Sequence, residues 1–323
     1  MLVPAALAFV IALATLLVLL SPPVRGIILD RPNERSLHAA PVPRTGGVAI
    51  MAGIASSMAL ISGPMQGLLL IALALAALSF VDDLVSLPSL VRLACHLAAA
   101  AGALLLLLPQ PNPVLFALLV VAIAWFANLY NFMDGSDGLA GGMAVLGFGT
   151  YAAAAWSGGA VELASVCVAL VAAAFAFLLF NFHPAKVFMG DAGSVPLGFL
   201  AGALGVAGWQ QGLWPLWFPV LVFSPFAADA TFTLVKRIAR REKIWQAHRE
   251  HYYQRVVRMG LGHRGTAVAE YALMLVCAGA ALATLRASIP VQTGALAIAA
   301  AAYIAIAIGI DLRWARHPAS HAR

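Results

Sequence analysis

The chain has 323 residues, 63% hydrophobic and only 10% charged, with a formal net charge of +6. A soluble domain is roughly 45–50% apolar and 25% charged, so one large soluble core is excluded. At about 20 apolar residues per spanning helix, the length predicts an all-α polytopic membrane protein, a single transmembrane domain over 1–323.

Eleven apolar stretches are predicted as spans, near 3–21, 46–62, 67–81, 89–108, 114–131, 138–156, 161–181, 194–208, 214–235, 266–285 and 291–310. The first has no Lys or Arg ahead of its apolar core, and Arg25, Arg31, Arg35 and Arg44 follow it. That order favours a retained helix with its N-terminus outside over a cleaved signal peptide. Gly/Pro-rich outer turns occur at Ser62-Gly-Pro64, Pro109-Gln-Pro-Asn-Pro113, Trp156-Ser-Gly-Gly159 and Ile289-Pro290. Threading from that start puts every Lys and Arg except Arg286 on or near one face, with loops near 22–45, 82–88, 132–137, 182–193 and 236–265. The positive-inside rule makes that face cytoplasmic, the tail from Asp311 included. All acids except Glu162 lie there too. Acids obey the rule only weakly, so a cytoplasmic-face active site is the cause expected. Cys95, Cys167 and Cys277 lie in apolar runs without metal-type spacing and are expected to pack.

The first inner loop carries His38 and then Pro41-Val-Pro-Arg44-Thr-Gly-Gly47. Basic groups before a glycine pair at a helix entrance suit an anion, although basic loops beside membrane helices are also ordinary topology determinants. The third span ends at Asp82-Asp83, adjacent carboxylates that repel unless a cation or proton intervenes; the plain reading is two solvated acids. The fourth contains His96, expected to be a hydrogen-bonded helix residue.

The fifth ends in Asn128-Leu-Tyr-Asn131-Phe-Met-Asp134-Gly-Ser-Asp137-Gly-Leu139. Two amides and two carboxylates at three-residue steps stay roughly on one face of a helix. Gly135 and Gly138 would let the backbone leave the helix and approach a ligand. A bland helix end needs one cap, and polar groups at membrane depth mark function by default. The seventh ends in Asn181-Phe-His183-Pro-Ala-Lys186-Val-Phe188-Met-Gly190-Asp191-Ala-Gly193-Ser194. Pro184 stops that helix, glycines flank Asp191, and Ser194 is the expected N-cap of the next span. After Asp229 comes the largest loop, rich in Lys, Arg and His. Such a stretch could lie on anionic lipid. His248 and His251, with Arg249 between them and no third ligand at metal spacing, favour phosphate contact over zinc.

Carboxylates alone would repel a phosphate. Oxygen ligands beside a basic loop therefore imply magnesium bridging phosphate oxygens, with Arg and His covering the remaining charge. The residues lead to a metal-dependent phosphoryl or phosphosugar transfer at the cytoplasmic interface, one substrate being a lipid.

Asp82-Asp83, Asn128-x-x-Asn131-x-x-Asp134-Gly-x-Asp137-Gly-Leu139, Phe188-Met-Gly-Asp191-x-Gly-Ser194 and His248-Arg-x-His251 resemble the successive motifs of the polyprenyl-phosphate N-acetylhexosamine-1-phosphate transferases, glycosyltransferase family 4. The resemblance covers almost the whole chain. It implies that sugar-1-phosphate passes from a UDP-N-acetylhexosamine to undecaprenyl phosphate with release of UMP, at the bacterial cytoplasmic membrane. By that likeness Asn131 and Asp191 hold Mg2+, with Mn2+ as a substitute. Asp82, Asp83, Asp134 and Asp137 are the implied catalytic acids, the last two near the nucleotide. Phe188 stacks on uracil, and His248, Arg249 and His251 meet sugar and diphosphate. Arg44, His38, Asn128 and Asn181 complete the implied substrate contacts. Asp82 and Asp83 sit by the lipid phosphate. A phosphate monoester has a second pKa of about 6 and is mostly dianionic near neutral pH, so positioning is as good a reading for them as general base.

The basic loop and Pro43-Arg-Thr-Gly-Gly47 depart from the peptidoglycan branch and look closer to the O-antigen or capsule initiators. Partners implied are the nucleotide sugar, the polyprenyl phosphate and membrane lipid, with a homodimer admitted and no nucleic acid. The alternatives are a proton- or cation-coupled secondary transporter using Asp82, Asp134 and Asp229, and a CDP-alcohol phosphatidyltransferase. Transport sites lie near the midplane rather than at one face. Asp134-Gly-Ser-Asp137 lacks the Ala-Arg continuation of the phosphatidyltransferases.

Overall fold

A computed structural model describes residues 1–32, 37–38, 40–110, 112–243 and 248–318. Arg35 of the first loop, Pro111 of an outer turn and the end of the C-terminal tail fall outside the described residues. The apolar stretches become helices: α1 Leu2–Leu19, α2 Gly46–Ser57, α3 Gly63–Val85, α4 Ser89–Leu107, α5 Pro113–Phe132, α6 Leu139–Ser157, α7 Val161–Asn181, α8 Asp191–Gln210, α9 Trp217–Val222, α10 Ser224–Ala239, α11 Tyr252–Val256, α12 Gly262–Thr284 and α13 Ile289–Ala315. The fold is all-α and polytopic. Among the described residues, nine helices are long and apolar enough to cross a membrane.

The other two predicted spans differ from expectation. The stretch near 46–62 yields α2 and one further tight turn, Met58–Leu60, short of the roughly 20 residues a span needs. The stretch near 214–235 breaks at Phe223 into α9 and α10. Pro225 explains the break: it has no N–H to continue the ladder, and its ring crowds the preceding turn. Within the predicted stretch 266–285, α12 begins earlier, at Gly262. A wide turn over Val257–Leu261, kinked at Gly260 with φ 101°, joins it to α11.

Small residues place the central helix. The run Ala192–Gly208 of α8 is buried throughout. A Cβ on Gly198 would stand 2.4 Å from the Phe126 carbonyl, and one on Gly202 would stand 3.1 Å from Ile123 Cα. This glycine pair, four residues apart, lets α5 lie against α8 at backbone contact distance, the usual role of small residues in membrane bundles. Cys167 and Cys277 are buried and Cys95 is partly so; all three are free.

One short hairpin sits at the site end of the bundle. β1 Leu29–Asp30 pairs antiparallel with β2 Val42–Pro43. Phe188 N–H donates to the Pro43 carbonyl (2.8 Å), Gly46 N–H to Phe188 (2.9 Å) and Gly47 N–H to Met189 (2.8 Å). A Cβ on Gly47 would stand 2.2 Å from the Gly193 nitrogen. The glycine pair thus docks the start of α2 onto the start of α8 and fixes Arg44 beside Asp191.

Candidate active site

Asp191 is the first residue of α8, after Gly190 at φ 74°. Ser194 is therefore not the N-cap expected: it lies inside the helix, and its hydroxyl donates to Asn131 Oδ1 at 2.8 Å. Asn131 Nδ2 reaches Asp191 Oδ2 at 3.3 Å. The three-residue steps do not share one helix face either. α5 ends at Phe132, so only Asn128 and Asn131 stand on it, while Asp134 and Asp137 lie in the following turn and point to different partners.

Asp134 joins Asp83, Asp191 and Arg44. Burial raises its pKa well above the usual carboxylate value, Asp191 and Asp83 add to the rise, and Arg44 and the Gly190 N–H oppose it. Arg44 bonds Asp191 Oδ1 and lies 3.3 Å from Asp83 Oδ1. Burial pulls the Arg44 pKa down, but Asp191, Asp83, Asp30 and Asp134 outweigh it and hold the guanidinium above its ordinary value. Asp83 Oδ2 is buried without a hydrogen-bond partner.

On the other side stands Arg92, which sequence reasoning missed. Its Nη1 is 3.2 Å from Asp82 Oδ2 and 3.9 Å from Asp191 Oδ2. Asp82 Oδ1 accepts the Leu87 N–H at 2.6 Å, so Asp82 closes the turn after α3 and orients Arg92. The signal was available: a lone cation inside an apolar span is functional by default. Four carboxyl groups thus crowd against two guanidiniums, and that crowding adds to the rise of the Asp134 pKa.

Asp137 belongs to a second cluster. Its Oδ2 meets His183 Nδ1 at 2.6 Å and the Ala185 N–H at 3.2 Å. His263 stacks on His183, with ring centroids 5.7 Å apart. The Asp137 N–H and the Ser136 hydroxyl converge on His263 Nδ1 at 3.4 and 2.9 Å. Nδ1 is therefore the acceptor, and Nε2–H donates to the Leu37 carbonyl at 3.2 Å. Such a tautomer is assigned by the network of donors around it. His38, the next residue, packs its ring edge against Phe188 at 4.8 Å. His263 thus ties the first loop to the turn after α5 and holds the Phe188 shelf.

Asn181, expected among the substrate contacts, is engaged within the protein. Its Oδ1 accepts the Gly138 N–H and its Nδ2 donates to the Val187 carbonyl, both at 2.9 Å. This buried amide staples two loops. The glycines likewise admit protein groups. A Cβ on Gly135 would stand 2.1 Å from the Tyr253 hydroxyl, and the Gly138 carbonyl accepts from Tyr271 at 2.6 Å.

The third cluster is His248 and His251, whose rings lie 4.9 Å apart. His251 Nδ1 is 3.0 Å from Asp229 Oδ1, which also accepts the Tyr252 N–H, while Asp229 Oδ2 accepts the Tyr253 N–H. Asp229 therefore caps α11 and orients His251, leaving Nε2 for the cavity. Burial pushes the His248 pKa down to about 4, helped by His251 and Arg237, so its imidazole is neutral at pH 7. Arg249, half-buried, is near enough to Arg258 for their charges to interact. Much of the basic loop is paired within the protein, contrary to a wholly phosphate-directed clamp. Lys236 and Arg255 bond Asp311, and Arg237 and Arg240 bond Glu242.

A cavity of about 790 Å³ runs from the Asp82–Arg92–Asp191 cluster to His248 and His251. Asp82, Arg92, Asn128, Asn131, Asp191, His248 and His251 line its polar side; Leu78, Leu90, Leu93, Trp125 and Leu234 line the other. Asn128 Nδ2 donates to His96 Nδ1 at 3.1 Å, the hydrogen-bonded helix residue expected. The cavity offers acid, amide and arginine groups beside an apolar wall, which suits the head and first isoprene-like units of an anionic lipid.

The profile described as Glycosyl transferase family 4 matches residues 65–208, the stretch bearing three of these motifs. A Bacillus subtilis (strain 168) protein described as a probable undecaprenyl-phosphate N-acetylglucosaminyl 1-phosphate transferase is 31% identical over 289 residues, 82% of this chain and 80% of its own. The chain belongs to glycosyl transferase family 4. A decaprenyl-phosphate N-acetylglucosaminephosphotransferase of Mycobacterium leprae (strain TN) is 26% identical over 87% of this chain and 82% of its own. A phospho-N-acetylmuramoyl-pentapeptide-transferase of Geobacillus thermodenitrificans (strain NG80-2) is 48% identical, but over 89 residues only, 28% of each chain. Likeness to that transferase is local; likeness to the N-acetylglucosamine transferases of the same family runs along most of the molecule.

Proposed function

We propose that this member of the family transfers N-acetylhexosamine-1-phosphate from a UDP-sugar to undecaprenyl phosphate, releasing UMP, as the first membrane step of a cell-envelope polysaccharide of the O-antigen type. The observation carrying this reading is the cavity in which Asp82, Arg92, Asn131, Asp191 and the two histidines meet an apolar wall. An oxygen of the lipid phosphate attacks the phosphorus bearing the sugar. The bond between the two donor phosphates breaks, and its electrons leave on UMP.

Each group has a part in that displacement. Arg92, oriented by Asp82, binds the lipid phosphate. Arg44, oriented by Asp83, faces the donor diphosphate. Neutral His248, whose Nδ1 accepts the Glu250 N–H, donates from Nε2 to sugar or phosphate oxygens, and Asp229-held His251 offers its Nε2 to a sugar hydroxyl. Phe188, with His38 on its edge, is the shelf for the uracil ring, and the Asp137–His183–His263 cluster holds that shelf.

Magnesium fits the donor set. Asn131 and Asp191 offer hard oxygens, Asp83 Oδ2 is an orphaned buried oxygen, and four carboxyl groups crowd against two guanidiniums there. Among the described residues no three His, Cys, Asp or Glu converge on a metal-sized point; Asn131 and Asp191 would hold the ion, with waters and substrate phosphates completing its shell. When bound, the ion would offset charge developing on the transferred phosphoryl group.

The first donor to test is UDP-N-acetylglucosamine, since N-acetylglucosamine is the sugar in the names of the Bacillus and Mycobacterium relatives that match most of the chain. Purified protein with undecaprenyl phosphate, magnesium and this donor should release UMP, and EDTA should stop it. Release with no lipid phosphate present would overturn the acceptor. Release from another UDP-N-acetylhexosamine alone would reassign the sugar.

A further inference from the structure

A second cavity, of about 670 Å³, shares no lining residue with the transfer site. Its walls are the kinked turn between α11 and α12 and the last turns of α13. Val256, Met259 and Leu261 face Ile306 and Ile310 across it. Two glycines open the space. Gly260 is held at φ 101° at the kink, and neither it nor Gly309 has a heavy atom within 4 Å of where a Cβ would stand.

The groove is graded. Ile306, Ile310 and Arg313 follow at four- and three-residue steps on one stripe of α13, which places Arg313 roughly 10 Å along the axis from Ile306. Arg313 and His317 form its polar end. Trp314 beside them stacks on His317 and lies under the Arg258 guanidinium, 4.7 Å from ring centroid to charge. An amphipathic ring flanked by cations is the usual marker of the membrane–water boundary. The acid of this turn, Asp311, faces away, bonded to Lys236 and Arg255. The polar end thus presents the Arg313 guanidinium at headgroup level, and the apolar end runs into the hydrocarbon.

We infer that this groove binds an anionic phospholipid, an acyl chain lying between Gly260 and Gly309 and the phosphate on Arg313 and His317. Basic pockets between membrane helices recognise lipid head groups by this combination of charge and apolar depth. Neutral phospholipids lack the net charge that Arg313 complements.

The test is native mass spectrometry of the full chain in detergent with phosphatidylglycerol and phosphatidylcholine of identical acyl chains added in competition. Retention of phosphatidylglycerol over phosphatidylcholine is expected. Arg313→Ala should lower that preference about fivefold, the effect of one cation near a charged head group, and Arg313→Lys should keep it. Gly309→Leu should fill the groove and reduce both adducts. Equal retention of the two lipids by the wild-type protein would overturn the proposal without any variant. So would displacement by undecaprenyl phosphate but not by phosphatidylglycerol, or an Arg313→Ala protein with unchanged preference.

Discussion

Arginine 92 and histidine 248 show how placement changes what a side chain can do. Arg92 stands between Asp82 and Asp191 on the cavity wall, so its charge is available to a second anion. Charge-assisted hydrogen bonds contribute about 1.5–3 kcal/mol. Arg92→Ala should therefore lower kcat/KM for undecaprenyl phosphate by roughly 10- to 100-fold, mainly through KM, with a much smaller effect on the nucleotide-sugar KM. Initial rates of UMP release against each substrate check this; an equal loss on both would place Arg92 elsewhere. His248 titrates at about 4 in the fold against an ordinary 6.5. Between those values the unfolded chain takes up a proton that the native chain refuses, so native stability falls as pH falls from 6.5 towards 4. His248→Asn should flatten that part of a thermal-unfolding series in detergent; an unchanged acid slope would contradict the neutral assignment. The aspartates and asparagines were legible in the sequence because polar groups at apolar helix ends are rare. Their partners were not: that Asp137 would meet His183 and His263, or Asn181 two backbone groups, depends on loops far apart in sequence.

At the scale of elements, glycines rather than polar residues set the register of the site. The start of α2 meets the start of α8 with no side chain between Gly47 and Gly193. Gly47→Ala would push a methyl group into the backbone of α8 at Ala192 and Gly193, and overpacking of this kind costs about 1–3 kcal/mol. A lowered Tm and a raised KM for the nucleotide sugar are expected together, since Arg44 and Phe188 hang on this contact; a lowered Tm with unchanged KM would separate the contact from the site. His263→Ala should raise the same KM while leaving the lipid-phosphate KM near wild type, because it anchors the loop that carries His38; His263→Gln, which keeps a donor near Leu37, should recover part of it. Helix existence was readable from hydropathy. The break at Pro225, the short α2 and the start of α8 at Asp191 were less so, because hydropathy reports composition and not the backbone geometry that Pro225 and Gly190 impose.

Across the whole molecule, chemistry gathers at one end of the bundle. Arg286 and Glu162 lie at the other end, the first on the Ser157 carbonyl and the second on Ser62, where α6 ends and α3 begins. This polarity agrees with the charge asymmetry of the loops and disfavours a midplane transport path. The long central helix α8 carries Asp191 on its first turn, so the acid is fixed by the most buried element of the fold. The basic loop, by contrast, gave a misleading impression of free charge: its pairing with Glu242, Glu250 and Asp311 joins segments up to 75 residues apart, beyond any local pattern.

The central claim is that a sugar leaves with its phosphate, not without it. UDP-N-acetylglucosamine labelled in the phosphate next to the sugar distinguishes the two directly. With undecaprenyl phosphate and magnesium, the label should move into the lipid fraction and the nucleotide should appear as unlabelled UMP. Label retained in a released UDP would mean transfer of the sugar alone, and would contradict the phosphoryl displacement assigned to this site.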